Sequence, residues 1–514
     1  GLIRSVDYLK IKRTFNGSEN LYGDMRIVPG FNVTARVEGT GGTAVLSKDK
    51  LVVTPDAGYR LSSLKADGHD VYVSDGVLDL NEVFDKNLVA KFERIGTVSA
   101  SVVEPSTITN TFYNSDASQY GVTWRTEGVG EPVLLYVKAD GKTAEQADFS
   151  NAIEVTAYAE SAMELYKNHA AMFGLEPGTK YYYKVGDKST NTYSSVCSIT
   201  TKVEAPSKVT FFHMSDTQDE INNGTYWNAA LKSAYKLYPD GAFTLNTGDI
   251  VNDGGDEKQW EDMMANTAAY TSNNVVVPVS GNHDYWLSVT GGKTECIYSH
   301  YNMDIPNNQS VTSGIYYSFD YGDVHFTILN TGDGGTSGGI SNTQLEWLKK
   351  DLAATKQKWK IVALHNPLYS PGKYGTETSH NAVALTLRSL LNPVFAQYKV
   401  DLVLNGHDHV YSQSYPIASD GTTVKGGEKT TIDGVSYYIN PKGTIHLESG
   451  TAGAQNRGTL AMGRVYSERM QASSSGNSYY SAITVDGNKL TVSFYEVNTA
   501  NDSTKLCQSF GIMK

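Results

Sequence analysis

The 514-residue sequence contains few cysteines: Cys197, Cys296 and Cys507 lie far apart and show no paired spacing. A disulfide framework and a thiolate zinc ribbon are therefore not expected. Basic residues are outnumbered, since 43 Lys and Arg face 55 Asp and Glu and leave a net charge of −12. An acidic surface repels polyanions, so we expect no nucleic-acid partner, although a small anionic substrate stays compatible with strong local charges.

Long apolar runs are also missing. No stretch of about 18 apolar residues occurs, so the sequence predicts no transmembrane segment. The first residue is Gly1 rather than Met, which is compatible with the removal of a leader peptide. The small number of cysteines suits the cytosol and equally the surface of a bacterium that avoids them.

The chain is too long for a single hydrophobic core, and its 48 Gly and 34 Tyr favour strands and turns. Changes in pattern divide it into three parts. Residues 1–96 alternate in strand fashion and predict a small all-β module. Residues 97–203 contain further strand-like runs and predict a β-sandwich. Residues 204–514 alternate strands with helices, which predicts α/β layering.

Five short polar segments occur in the third part, each after an apolar run that reads as a buried strand. In chain order they are Asp-Thr-Gln at 216–218, Gly-Asp-Ile-Val-Asn at 248–252, Gly-Asn-His-Asp at 281–284, Val-Ala-Leu-His at 362–365 and Gly-His-Asp-His at 406–409. Functional sites in such sheets form beyond the carboxyl ends of strands. We therefore expect the five segments to meet at one edge.

The ligand candidates in these segments are two carboxylates, an amide and three imidazoles, with His283 beside the amide. Carboxylates, amides and imidazoles are the ligands needed to hold two metal ions bridged by one carboxylate, a device that cleaves phosphate esters. One such segment alone is a weak signal, whereas five in order are a strong one.

The ordered segments resemble those of the calcineurin-like metallophosphoesterases, in particular the bacterial purple-acid-phosphatase-like branch. That family has Asp-x-His or Asp-x-Gly, then Gly-Asp-x-x-Asp or Tyr, Gly-Asn-His-Asp/Glu, a Val-x-x-His strand and Gly-His-x-His. The resemblance implies a multidomain protein in which two N-terminal all-β domains precede an α/β domain, at residues 204–514, built as an αββα sandwich.

The two N-terminal parts show resemblances of their own. Residues 97–203 are similar to a fibronectin type III sandwich through the Leu-x-Pro-x-Thr-x-Tyr spacing at 175–181, and to the N-terminal sandwich of purple acid phosphatases through residues 122–125. Residues 1–96 resemble the small all-β repeats of bacterial surface proteins. We expect the first module to serve as a spacer or adhesive unit.

The resemblance also implies the roles of the site residues. The first ion would be held by Asp216, Asp249 and His409, and the second by Asp249, Asn282, His365 and His407, with Asp249 as the bridge. Such ligands suit two divalent or trivalent ions of Fe, Zn or Mn. The ions would polarise the phosphoryl oxygens and turn a bound water into hydroxide.

Two residues beside the ligands are implied to be catalytic. His283 would protonate the leaving oxygen or stabilise the phosphoryl charge, and Asp284 would orient the His283 ring. His380, in the loop that follows His365, is a candidate substrate contact because loops near a site often bind substrate.

The sequence departs from the family at two positions. Gln218 stands where the family has His or Gly, and Asn252 stands where it has Asp or Tyr. Both departures remove an anionic or imidazole ligand from the first ion. The two amides remain candidates for ligands or for groups that contact the ligands, and we expect the first ion to be the more labile.

The expected activity is metal-dependent hydrolysis of small phosphate esters, with phosphomonoesters as the preferred substrates. One alternative is a phosphodiesterase or nucleotide hydrolase that uses the same site. The other is a surface adhesion or scaffold protein whose third part has lost catalysis. We expect an extracellular or cell-surface location, with attachment through the N-terminal β modules.

Overall fold

The computed structural model describes residues 12–15, 18–21, 33–47, 50–56, 59–66, 69–70, 77–79, 87–94, 99–162, 165–219, 224–284, 297–303, 315–333, 339–372, 378–425, 427–455, 460 and 466–514. The chain forms two compact units, one of Gly1–Ser99 with Val129–Glu131 and one of Ala100–Gly128 with Pro132–Lys514. The second unit contains both the sandwich region and the α/β region. The three-part division at residues 96 and 203 stays a prediction.

The first unit is built of short strands. They are β1 (Lys12–Phe15), β2 (Ser18–Leu21), β3 (Thr34–Glu38), β4 (Gly42–Ser47), β5 (Lys50–Pro55), β6 (Tyr59–Ala66), β7 (His69–Asp70), β8 (Val77–Asp79) and β9 (Asn87–Arg94). One sheet has the order β3-β9-β6-β7 and another the order β4-β5-β8. Leu51 and Val53 of β5 point inward and pack with Leu88 and Phe92 of β9, so the period-2 pattern buries one face of each strand.

The second unit begins with two packed sheets. Their strands are β10 (Ser106–Phe112), β11 (Tyr120–Thr126), β12 (Pro132–Lys138), β13 (Ile153–Thr156), β14 (Tyr158–Ala162), β15 (Leu165–Met172), β16 (Lys180–Asp187), β17 (Thr192–Tyr193) and β18 (Cys197–Thr200). One sheet has the order β10-β11-β15-β14, and the other contains β13-β12-β16-β17 with β18 paired to β16. The hydroxyl of Tyr181 accepts the N–H of Glu176 at 3.0 Å, a bond that fixes the corner before β16.

The α/β region follows with two larger sheets and four described helices. The strands are β19 (Lys208–Met214), β20 (Phe243–Asn246), β21 (Val275–Pro278), β22 (Tyr317–Tyr321), β23 (Val324–Ile328), β24 (Trp359–Ala363), β25 (Leu402–Asn405), β26 (Val410–Ser414), β27 (Lys429–Ile432), β28 (Val435–Ile439), β29 (Ile445–Ser449), β30 (Ser467–Ala472), β31 (Asn477–Asp486), β32 (Lys489–Asn498) and β33 (Ser503–Met513). The helices are α1 (Thr225–Leu237), α2 (Glu257–Thr271), α3 (Asn342–Ala354) and α4 (Thr378–Tyr398).

These elements form four layers. The first sheet has the order β21-β20-β19-β31-β32-β33-β28-β27 and the second the order β22-β23-β24-β25-β29-β26-β30. Phe211 and Phe326 meet between the sheets, whereas Phe212 packs with α1 and α2 and Val362 with α3 and α4. Each sheet is thus covered by helices on its outer face, which confirms the predicted fold class. Within the described residues, no helix is long and apolar enough to cross a membrane.

Helix α3 begins directly after a capping serine, Ser341. The hydroxyl of Ser341 caps the helix by accepting the N–H of Gln344 at 3.1 Å. The side chain of Gln344 does not complete the capping box. It accepts the N–H of Asn330 at 2.8 Å and donates to the carbonyl of Asn330 at 2.9 Å. These two bonds fix the backbone just after β23.

A buried ion network joins the sandwich to helix α2. Lys167 of β15 is 1% exposed and forms an ion pair with Glu257, the first residue of α2. Arg125 of β11 lies 3.8 Å from Glu257 and 3.2 Å from Glu261. The positive end of the helix dipole also favours the Glu257 charge. The network therefore fixes α2, which lies between the second and third polar segments in the sequence, against the sandwich.

Candidate metal centre

The polar segments follow the carboxyl ends of parallel strands in both sheets. Asp216, Asp249 and Asn282 come after β19, β20 and β21, while His365 and His407 come after β24 and β25. Because the two sheets pack face to face, their carboxyl ends bring the five segments together. The expected convergence at one edge is what the structure shows for Asp249, His365 and His407, whose ligand atoms lie within 4.8 Å of one another.

Four of the ligand candidates adopt left-handed backbone conformations. The φ angles are 51° at Asp216, 52° at Asp249, 78° at His407 and 52° at His409. This region is unfavourable for residues with a Cβ, and such strain is concentrated at functional sites. This backbone conformation turns the chain sharply after each strand, so that the ligand candidates and the neighbouring backbone N–H groups face the candidate site.

Glycine is needed where two of these turns touch. A Cβ on Gly281 would lie 2.2 Å from the backbone nitrogen and Oδ1 of Asp249, and a Cβ on Gly406 would lie 1.9 Å from Oγ of Ser215. The glycines before Asn282 and His407 therefore allow the loops to approach more closely than any other residue would permit.

The side chains expected to hold the second ion converge on Nε2 of His365. This nitrogen lies 3.2 Å from Oδ2 of Asp249, 3.1 Å from Oδ1 of Asn282 and 3.1 Å from Nδ1 of His407. The opposite ring nitrogen of His365 contacts the carbonyl of Thr247 at 2.8 Å. That contact fixes the ring and points Nε2 at the other three donors.

The side chains expected to hold the first ion form a smaller set. Nε2 of His409 lies 3.3 Å from Oδ1 of Asp216, and the Nδ1 of His409 contacts the carbonyl of Gln455. The backbone N–H of His407 donates to both carboxylate oxygens of Asp216, at 3.0 and 2.9 Å. His407 therefore links the two halves, through its backbone to Asp216 and through its ring to His365.

Gln218 and Asn252, the two amides at which the sequence departs from the family, lie next to this first set of side chains. Gln218 contacts Asp249, and Asn252 contacts Gln455. Nε2 of Gln218 donates to Oδ2 of Asp249 at 3.2 Å, and its buried Oε1 has no hydrogen-bond partner among the residues that the structure describes. Oδ1 of Asn252 accepts Nε2 of Gln455 at 2.8 Å. Gln218 therefore offers a buried oxygen to an ion, whereas the Asn252 oxygen already has a donor.

His283 and Asp284 point in different directions. Nδ1 of His283 contacts the backbone carbonyl of Asn252 at 2.7 Å. The carboxylate of Asp284 accepts the backbone N–H groups of Asp249 at 2.9 Å, Ile250 at 2.8 Å and Gly281 at 2.8 Å. The carbonyl of Asn252 thus orients the imidazole, and Asp284 instead ties the second and third polar segments together.

The site carries a strong negative field. Burial opposes the charged form of His365, but the Asp249 carboxylate outweighs burial and raises the pKa of His365 to about 9. In the same way, Asp216 raises the pKa of His409 against the effect of burial. Burial and the charge of Asp249 raise the pKa of Asp284 to about 7. Positive charge is therefore favoured between the two carboxylates Asp216 and Asp249.

The donor set fits metal ions. Oδ2 of Asp249 contacts both His365 of the second half and Gln218 of the first, which is where a bridging oxygen would lie. The donors are carboxylate, amide and imidazole groups, and these suit borderline transition metals.

The remaining predicted residue is His380. It lies in the first turn of α4, and its side chain falls outside the described part of the chain. Its role in binding substrate therefore stays a prediction.

Gln455 and Thr247 were not predicted from the sequence. Their contacts to His409 and His365 use backbone carbonyls, which any residue could supply. For Thr247, its place directly before the second polar segment was a usable signal.

Comparison with known proteins identifies two families. Residues 209–411 match the calcineurin-like phosphoesterases, and residues 105–201 match the N-terminal domain of purple acid phosphatases. An uncharacterised protein of Mycobacterium tuberculosis is 26% identical over 376 residues, which cover 66% of this chain and 68% of that protein. Purple acid phosphatase 23 of Arabidopsis thaliana is 25% identical over 316 residues, covering 56% of this chain and 62% of the relative.

A solved structure shares the fold. The purple acid phosphatase from yellow lupin seeds superposes with a TM-score of 0.64 and 18% identity, over 84% of this chain and 78% of the lupin chain. The α/β region and the sandwich before it are thus found together in that protein. The chain therefore contains a calcineurin-like phosphoesterase domain at residues 209–411, and the N-terminal domain of purple acid phosphatases precedes it at residues 105–201. Proteins with these domains are metallophosphoesterases, hydrolases that act on phosphate esters.

Proposed function

We propose that this protein hydrolyses phosphomonoesters at a centre of two metal ions. The observation that carries the proposal is the convergence of Asp249, Asn282 and His407 on Nε2 of His365, at 3.1 to 3.2 Å. Four donors of these types around one point are suited to hold an ion. Asp216 and His409 lie on the other side of Asp249 in the proposed arrangement.

The two ions would be Fe, Zn or Mn, in divalent or trivalent form. When bound, they would supply Lewis acidity to the phosphoryl oxygens and a hydroxide nucleophile near neutral pH. Asp216, Asp249 and His409 would hold the first ion, and Asp249, Asn282, His365 and His407 the second. Gln218 would add its buried Oε1 to the first half.

His283 would act on the leaving group. The carbonyl of Asn252 can only accept a hydrogen bond, so Nδ1 of His283 carries a proton. The acid would be the imidazolium form, whose Nε2 would give its proton to the leaving oxygen and leave a neutral ring protonated on Nδ1. Asp284 would act indirectly, since it holds the backbone of Asp249 and Gly281 on either side of the reaction centre.

The names of the relatives support monoesters over diesters. Besides the Arabidopsis protein, relatives include a purple acid phosphatase of Glycine max and a phosphoenolpyruvate phosphatase of Allium cepa. We further propose an extracellular or surface location, with the strand-rich first unit as the point of attachment.

Metal removal tests the proposal. Protein purified without chelator should contain at least one transition metal ion per chain and should hydrolyse an aryl phosphate faster than a bis-aryl phosphate diester. Chelation should abolish both activities, and added Mn, Zn or Fe should restore them. Faster cleavage of the diester would favour the phosphodiesterase alternative, and metal-free, inactive protein would favour the adhesion or scaffold alternative.

The Gln218→His variant tests the side chains proposed to hold the first ion. An imidazole in place of an amide should strengthen the first half, so more metal should remain bound after gel filtration in metal-free buffer. Elemental analysis should give a value nearer to two ions per chain for the variant than for the unaltered protein. Gln357→His is the control, because Gln357 is partly buried and contacts Asp320 instead of the site residues. An unchanged metal content would show that Gln218 does not adjoin an ion.

A further inference from the structure

We infer that Gln455 is a positioning residue that holds the imidazole of His283 in place through Asn252. The inference rests on the proposed function, in which His283 protonates the leaving oxygen. Gln455 follows β29 in the second sheet, whereas Asn252 follows β20 in the first. Their contact therefore joins loops from the two sheets across the candidate centre.

The contact is a hydrogen bond between side chains. Nε2 of Gln455 donates to Oδ1 of Asn252 at 2.8 Å, and the backbone carbonyl of Asn252 contacts Nδ1 of His283 at 2.7 Å. The side chain and the carbonyl of Asn252 thus have different tasks. The side chain receives Gln455, and the carbonyl orients the proposed acid.

The peptide group after Asn252 is held from its other side as well. Its N–H, which belongs to Asp253, donates to Oε1 of Gln259 at 3.0 Å, and the N–H of Asn252 donates to the same oxygen at 3.0 Å. Gln259 holds the two N–H groups of this turn, and among the described residues Gln455 holds the Asn252 side chain. The Asn252 carbonyl lies between these two contacts, so loss of the Gln455 bond would leave the carbonyl restrained from the Gln259 side alone.

Gln455 also contacts His409, one of the proposed ligands of the first ion. Its backbone carbonyl accepts Nδ1 of His409, whose Nε2 lies 3.3 Å from Asp216. One residue therefore orients a ligand candidate by its backbone and the proposed acid by its side chain. A side-chain substitution at Gln455 separates these two effects, since it retains the carbonyl.

The chemistry gives the positioning role a specific signature. Proton donation matters most when the leaving oxygen is strongly basic, because such an oxygen departs slowly as an anion. An alkyl alcohol therefore depends on His283 far more than p-nitrophenol does. A misplaced acid should slow alkyl phosphates selectively, whereas general damage to the site should slow both classes alike.

The variant Gln455→Met tests this signature, since Met has a similar length and no donor. We expect kcat for an alkyl phosphate to fall about 30-fold, while kcat for p-nitrophenyl phosphate falls less than about threefold. The expected loss is smaller than the roughly 100-fold or more that a general acid contributes, because the acid is displaced and not removed. Asn252→Leu removes the same bond from the other side and should have the same effect. Gln357→Met, which removes a donor to Asp320 elsewhere, should leave both rates unchanged.

The double variant Asn252→Leu/Gln455→Met adds an independent test. Two residues that act through one hydrogen bond should be non-additive, so the double variant should be no slower than either single variant. Equal loss on both ester classes, or additive losses in the double variant, would overturn the inference. If the unaltered protein hydrolysed neither ester, the proposed function itself would fail, which is a distinct result.

Discussion

Asp249→Ala should lower kcat/KM for an aryl phosphate on the order of a thousandfold or more, because it removes the group shared by both halves of the centre. Oδ2 of Asp249 contacts His365 and Gln218, and Oδ1 accepts the N–H of His283. One substitution therefore removes a ligand from each proposed ion and a bond that places the acid.

Two measurements check this expectation. Elemental analysis should show a loss of bound metal in parallel with the loss of activity, and circular dichroism should show a folded protein. Asp240→Ala is a matched control, because Asp240 is an exposed aspartate near the opposite end of the same strand, β20. Full hydrolysis by the Asp249 variant would mean that the two-ion mechanism is wrong.

Lys167→Met should lower the free energy of unfolding by about 3 kcal/mol, since it leaves a buried carboxylate without its closest cation. Lys167 is 1% exposed and pairs with Glu257, whose other cation, Arg125, is 3.8 Å away. Urea unfolding monitored by tryptophan fluorescence is a suitable measurement. Trp260 of α2, which stacks on His300 at 4.2 Å, reports directly on this region.

The double variant Lys167→Met/Glu257→Leu distinguishes the cause. If the loss comes from an unpaired buried charge, removal of the second charge should restore much of the stability. If instead the loss comes from poor packing of the introduced methionine side chain, the double variant should be at least as unstable as the single one. Lys232→Met is the control, because Lys232 and its partner Asp502 are both about half exposed.

The sequence predicted the elements whose pattern is simple. Strands such as β19, β20 and β24 are largely apolar and buried, and a ligand candidate follows the end of each strand within three residues. The position of a polar segment relative to the end of a strand is a local property, so it can be read from a single sequence. The fold class followed, because alternating strands and helices allow few layer arrangements.

Helix α2 was not predicted, and the reason is chemical. Its buried face includes Thr267 and Thr271 besides Trp260, Met263 and Met264, so polar residues occupy positions at which a periodic pattern requires apolar ones. The threonine hydroxyls donate to the helix's own carbonyls, at 2.8 and 3.2 Å, which makes their burial acceptable.

The role of Asp284 also could not be predicted from the sequence. Its place directly after His283 suggested a contact with that ring, but neighbouring residues in a tight turn point apart. The structure directs the carboxylate to four backbone N–H groups, and only one of them, that of Gly281, belongs to the same segment. Almost any residue type can supply a backbone N–H group, so a contact to the backbone of a distant loop cannot be read from the sequence.

The left-handed backbone at Asp216, Asp249, His407 and His409 has an evolutionary consequence. Each of these residues is less stable there than glycine would be, by about 1 kcal/mol or more. Retention of these four side chains therefore lowers stability, and a gene copy released from selection for them would gain stability by drifting to glycine at the same positions.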